Sequence, residues 1–425
     1  MSDTVTSTEA VAAPEYPMER SGRCPFAPPP EVMELAAAAP LSRVRIWDGS
    51  RPWLITGYGE ARALFADSRV SVDDRKPGFP HWNEHMLATV DKRPRSVFTA
   101  DAEEHTFYRR MLSKPFTFKR VEALRPAIQK ITDDAIDKIL AGPKPAELVT
   151  ALALPVPTEV ICEMLGVPYE DHGFFQEHAN VGLARYAKPE DSMKGAMSLA
   201  KYLSNLVETK MENPAEDAVS DIAERVTAGE ISVKEAAQLA SGLLIAGHET
   251  TTNLIGNGLL CLLRNPDQFD RLRADPALVD SAVEEMLRFE SPVQVDARTA
   301  FEPVEIDGHT ITTGETVVTL LGAANRDPAV FPDPDRFDVT RHPNHPLSFA
   351  AGIHYCLGAN LARLEGRVVF DRLTRRFADI EVGIEVHAGE CLAFEFVLGG
   401  LCPGPTYLWP EQRTGHRDVN ETSPG

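Results

Sequence analysis

The chain has 425 residues, 43% of them hydrophobic and 25% charged, with a formal net charge of -20. This is ordinary for a globular protein of one large unit or two smaller ones, and so acidic a balance argues against nucleic-acid binding. No run approaches the roughly 18 apolar residues of a membrane-spanning helix, the N-terminus lacks a basic-then-apolar leader pattern, and the six cysteines (Cys24, Cys162, Cys261, Cys356, Cys391 and Cys402) show no paired spacing, so a cytoplasmic protein with reduced thiols and no membrane partner is expected.

In chain order, residues 1–22 are polar and aperiodic and are expected to be disordered. A single domain is expected over 23–410, and a loose tail over 411–425. A short helix over 31–39 precedes two strands over 42–47 and 52–56, joined at Asp48-Gly49. Helix returns over 58–67. Residues 71–98 show no clear period and read as a long irregular loop, a common form for a functional lid. From Asp101 to about residue 290 the pattern is almost wholly helical. Within it, His105 and Arg109 are four apart and share a face. Arg109, Arg110, Lys114, Lys119 and Arg120 form a basic run on an acidic chain, either a solvated helix face or a docking surface.

A capping box, Ser232 with Glu235, opens a helix that Pro266 must end. Its middle, 243–247, is apolar all round and predicts burial on every side. Into it the sequence inserts Gly247-His248-Glu249-Thr250-Thr251-Thr252, poor helix formers whose threonine hydroxyls can bond carbonyls one turn back. A polar, weakened turn in a buried helix points to function. His248-Glu249 suggests a zinc protease, but residue 252 is Thr where that motif needs His, and the reading fails. A helix over 279–289 carries Glu285 and Arg288 on one face. Strand-like alternation follows over 305–311 and 316–320, then a Pro- and Asp-rich meander over 325–346. A hairpin over 391–407, turning at Gly399-Gly400, closes the chain. The fold class expected is mainly α with a smaller β-rich region, built around one long central helix.

Cys356 follows a glycine-containing turn and opens a helix whose Leu357, Leu361, Leu364 and Val368 share a face. A thiol at a helix N-terminus has a lowered pKa and is ready to act as nucleophile or metal ligand. A zinc site could recruit His342, His345, His354 and Cys356, though their spacing fits no standard pairing. A cysteine nucleophile would need a base and an orienting group that nothing marks. A single thiolate as axial ligand of haem iron accounts for both the glycine-containing loop and the buried helix with a polar break.

Five motifs then carry a resemblance. Phe349-x-x-Gly352-x-His354-x-Cys356-x-Gly358 resembles the haem-binding signature of the cytochrome P-450 family. Ala246-Gly247-His248-Glu249-Thr250-Thr251 is similar to its oxygen-activation motif, Glu285-x-x-Arg288 to its Glu-x-x-Arg pair, Pro334-Asp335-Arg336-Phe337 to the segment whose arginine completes that pair, and His105-x-x-x-Arg109 to the helix that holds haem propionates. All occur in family order over roughly residues 24–408.

The resemblance implies haem b held by the Cys356 thiolate, with backbone N–H groups just beyond it donating to the sulfur. His105, Arg109, Arg298 and His354 would neutralise the propionates, while Ala246, Phe349 and Gly358 would lie against the cofactor. Glu249 and Thr250 would deliver protons for dioxygen activation. Glu285, Arg288 and Arg336 would form a structural network, and Ile245, Gln294, Val295, Val397 and the 78–98 loop the substrate pocket. It further implies a monomeric monooxygenase acting on a small, largely apolar molecule, reduced by a ferredoxin and its reductase, with Arg110 and Lys114 helping the ferredoxin dock. A haem-thiolate gas sensor without turnover is the alternative. Two departures stand out: Ala350 where glycine is frequent, expected to be a small change, and Gly399-Gly400 where many relatives carry Arg-Gly.

Overall fold

The computed structural model describes residues 13–18, 28–92, 96–143, 146–183 and 189–377. The expected C-terminal hairpin and Val397 lie outside the described residues. Part of the N-terminal stretch expected to be disordered is built into the fold: Tyr16 and Met18 are buried, and Glu15 bridges Arg45.

A 32-residue helix, Val233–Arg264, runs through the molecule and packs against helices Pro155–Leu165, Pro189–Glu212, Ala218–Thr227, Val279–Phe289 and Ala359–Arg376. Its start is the capping box read from sequence: Glu235 N–H donates to Ser232 Oγ at 3.2 Å and Ser232 N–H to Glu235 Oε2 at 2.8 Å. It ends at Asn265, before Pro266. At Gly258 an added Cβ would come within 2.7 Å of both Met286 and Phe370. Glycine there lets three helices of the main core meet.

The strands form a five-stranded sheet in the order β1-β2-β7-β4-β3, with β1 Leu41–Arg43, β2 Trp53–Ile55, β3 Val70–Ser71, β4 Val295–Ala300 and β7 Thr316–Leu320. A separate hairpin pairs β5 Val304–Ile306 with β6 His309–Ile311. β2 lies parallel to β7, and the other pairings are antiparallel. The 71–98 segment is less irregular than its composition suggested. A helix, Glu84–Thr89, capped by Asn83 Oδ1 accepting from Met86 N–H at 2.8 Å, sits within it.

Between the sheet and the cysteine helix Ala359–Arg376, the chain meanders without regular structure over 327–346, and two arginines satisfy its carbonyls. Arg288 forks onto Glu285 at 2.7 and 2.8 Å and donates to the carbonyls of Asn325, Pro334 and Arg336. Arg341 donates to Glu285 at 3.0 Å and to the carbonyls of Pro332, Asp333 and Arg336. The third member of the network is therefore Arg341, not Arg336. Arg336 is exposed and contributes only its carbonyl. A loop cannot leave buried carbonyls unpaired, and Arg341 is the side chain that turns back to meet them.

Candidate active site

A cavity of about 1550 Å³ of free space, counted with its mouth, lies between the central helix, the cysteine helix and β4. The central helix presents Leu243, Ala246, Gly247, Thr250, Thr251 and Leu254 to it, a run of three- and four-residue steps that is one helical face. This face explains why Ala246 and Gly247 are only half-buried in a stretch expected to be buried all round. Ile245 points away from that face and is not on the cavity wall, contrary to expectation.

The cysteine loop forms the opposite wall. Cys356 N–H donates to the Phe349 carbonyl at 3.0 Å, and the helix proper starts at Ala359, three residues later than expected. Gly352 holds φ 70°, with the Phe65 carbonyl 2.0 Å from where a Cβ would sit, so glycine is required. The Cys356 side chain is open to the cavity and lines it, yet the sulfur is enclosed by protein on its other sides. Burial accordingly raises its pKa instead of lowering it; backbone N–H groups of Gly358 and Ala359 and the charges of Arg109 and Arg363 pull the other way without prevailing. Helix-terminus stabilisation is smaller than the cost of desolvating a thiolate. Arg363 is itself fixed by Glu284, by Tyr355 Oη at 3.1 Å and by the Phe349 ring at 4.4 Å. Sequence reasoning did not single it out.

His105, Arg109, Arg298 and His354 all face the same cavity. The two histidine rings lie 4.2 Å apart. Burial, and then Arg298 and His105, push His354 down to about 3; burial, then Arg109, lowers His105. His105 Nε2 is buried without a hydrogen-bond partner among the described residues. These four cationic or potentially cationic groups outnumber the carboxylates that act on them, Asp296 at 2.5 Å from Arg298 and Asp101 beside the two histidines, and form a site short of negative charge. Two carboxylates would supply it. Haem, with its flat apolar body, two propionates and iron open to a thiolate, fits these residues.

Thr250 lines the cavity and donates its hydroxyl to the Ala246 carbonyl at 2.7 Å. Glu249 does not reach the wall. Its Oε2 is buried without a hydrogen-bond partner among the described residues, and burial lifts the carboxyl to about 7.

Among the expected pocket residues, Gln294 and Val295 line a small separate cleft beside Tyr16 and Met18. Val295, at the start of β4, faces that cleft, whereas Asp296, Ala297 and Arg298 line the cavity. Of the described residues in 78–98, Val97 and Phe98 reach the cavity, joined by Val72, Pro292, Val293 and Leu321. The zinc alternative finds no support: no group of three or more His, Cys, Asp or Glu among the described residues is placed to hold a metal ion.

Comparison with known proteins matches this arrangement. The family model for cytochrome P450 matches residues 190–382. Cytochrome P450 CYP105Q4 of Mycobacterium marinum is 63% identical over 383 residues, covering 88% of this chain and 92% of the relative.

The chain belongs to the cytochrome P450 family.

Cytochrome P450 GfsF of Streptomyces halstedii is 49% identical and covers 86% of this chain and 89% of the relative. The crystal structure of GfsF superposes with a TM-score of 0.81 over 86% of this chain and 92% of that one. MoxA of Nonomuraea recticatena is 43% identical, with a TM-score of 0.81 over 85% of this chain and 90% of that one. As a P450 the chain is a haem-thiolate monooxygenase, an oxidoreductase supplied with electrons by a redox partner. No described helix is long and apolar enough to cross a membrane.

Proposed function

We propose that this P450 inserts one oxygen atom from dioxygen into a small, largely apolar organic molecule in the cytoplasm, using electrons from a ferredoxin. The observation that carries this is the cavity itself: its wall includes the apolar side chains of Val72, Val97, Phe98, Leu243, Val293 and Leu321, and Thr250 and Cys356 line the same space. Haem, when bound, supplies the oxygen chemistry. The protein's part is to hold the substrate dry and to move protons. The Cys356 thiol would bind the iron and His105, Arg109, Arg298 and His354 the propionates. The Glu249 carboxyl, held near neutral pH by burial, would pass protons past the Thr250 hydroxyl.

Insertion of oxygen is in keeping with the names of two relatives, a mycinamicin VIII C21 methyl hydroxylase and a vitamin D3 dihydroxylase. A cytoplasmic setting suits the three described cysteines, Cys162, Cys261 and Cys356, all free thiols.

Thr250→Ala tests the proposal. The variant should still consume reductant and dioxygen but release hydrogen peroxide in place of oxygenated product. Product yield equal to the parent's would remove Thr250 from proton delivery, and absence of any turnover in the parent would favour a sensor.

A further inference from the structure

His248 is a polar residue of the weakened turn to which proton delivery gives no role. It is 3% exposed in the middle of the central helix, and its Nδ1 lies 2.8 Å from Thr158 Oγ1, on the neighbouring helix Pro155–Leu165. Thr158 is equally buried, at 2%. Its hydroxyl donates to the Leu154 carbonyl at 2.6 Å, where its own backbone N–H reaches only 3.4 Å. A hydroxyl has one hydrogen, so toward His248 Thr158 must accept. His248 is therefore the Nδ1–H tautomer, and it is neutral, since burial pushes its pKa to about 4.

The two helices touch again one residue earlier, where an added Cβ on Gly247 would lie 3.0 Å from Ile161. Thus 247 and 248 are pinned from outside just before Glu249 and Thr250. The turn needs an external pin. Thr250 and Thr252 bond back to the carbonyls of Ala246 and His248 at 2.7 and 2.8 Å, a pattern that loosens and bends helices.

We infer that the His248–Thr158 hydrogen bond sets the position of the Glu249–Thr250 turn relative to the cavity, making His248 a positioning residue for proton delivery. This rests on the reading of Glu249 and Thr250 given above.

The test is Thr158→Val, nearly isosteric but without the acceptor, in the haem-loaded enzyme with a substrate it turns over. Product formed per electron pair should fall about threefold or more, with peroxide rising to match, while haem content and the substrate-induced absorbance change stay at parent values. Thr158→Ser, which keeps the hydroxyl, should restore coupling. Unchanged coupling in Thr158→Val, or a Thr158→Ser variant as uncoupled as Thr158→Val, would overturn the inference. The parent alone gives an independent check: nitrogen NMR of labelled histidine should show His248 neutral and protonated at Nδ1, and a proton found on Nε2 instead would sink it even if Thr158→Val does not fold. Thr250→Ala in parallel separates the two readings. If it uncouples and Thr158→Val does not, only the positioning role falls; if Thr250→Ala stays coupled, the underlying reading falls and takes this one with it.

Discussion

Ala350 holds φ 55° and ψ -157°, a backbone conformation open essentially to glycine. What reads from sequence as a small departure from the family signature is thus a strained residue in the loop that presents Cys356. Ala350→Gly should relieve the strain and raise stability by about 1 kcal/mol, after subtracting the extra freedom glycine gives the unfolded chain; a denaturation midpoint at or below the parent's would contradict this. Glu249 makes a second residue-scale prediction. Folding raises its pKa from 4.5 to about 7, so the native state holds the proton more tightly. Its contribution is full below pH 4.5 and is lost as pH rises through about 7. Glu249→Gln should flatten that part of the stability curve and make the variant more stable than the parent above neutrality, by on the order of 3 kcal/mol. Denaturation measured across this pH range decides it, and parallel curves for the two proteins would mean the carboxyl is not held neutral.

Among the elements, the clamp around Glu285 separates two arginines that sequence pattern confuses. Arg341→Ala should cost about 2–3 kcal/mol, because it strips a partner from a fully buried carboxylate and orphans meander carbonyls. Arg336→Ala should stay within about 0.5 kcal/mol, as for other exposed positions. Equal losses in urea denaturation would refute the assignment. The contrast shows where the sequence is legible. The helices Val233–Arg264 and Val279–Phe289 agree with their sequence-read bounds, because a capping box, a proline and a helical period are local signals. The meander has no period, so nothing local says which arginine folds back. The pocket face behaved likewise: once Ala246 is placed on the cavity, helical steps give Leu243, Thr250 and Leu254, whereas Ile245 fails those steps. Sequence reasoning places Gln294 and Val295 on the wrong cavity because the setting of β4 and the residue before it depends on pairing with β7, distant information that the strand itself does not carry.

At the scale of the whole molecule, the basic run on an acidic chain is smaller than it reads. Lys114 and Arg120 are both ion-paired with Asp221, whereas Arg110 is exposed. Docking of an acidic ferredoxin would then lean on Arg110 more than on Lys114. Arg110→Glu should slow reduction and weaken its dependence on ionic strength, and Lys114→Gln should do so less. Stopped-flow reduction at several salt concentrations measures both, and an unaltered salt dependence in Arg110→Glu would exclude its part.

The pairing of β2 with β7 has a consequence for how the molecule is made. Residues 53–55 lie beside residues 317–319, so a chain leaving the ribosome carries its first strands for more than half its length before their partner exists. The cavity walls are synthesised in the same scattered order: His105 early, the central helix midway, Arg298 next, Cys356 last. Until then the cavity-facing side of the central helix lacks its opposite wall, though helices made earlier can already pack on its other sides. Such a nascent chain has long-range contacts to close late and exposed surface to shield meanwhile, so the yield of folded protein should rest on chaperone supply more than on the stability of the finished molecule.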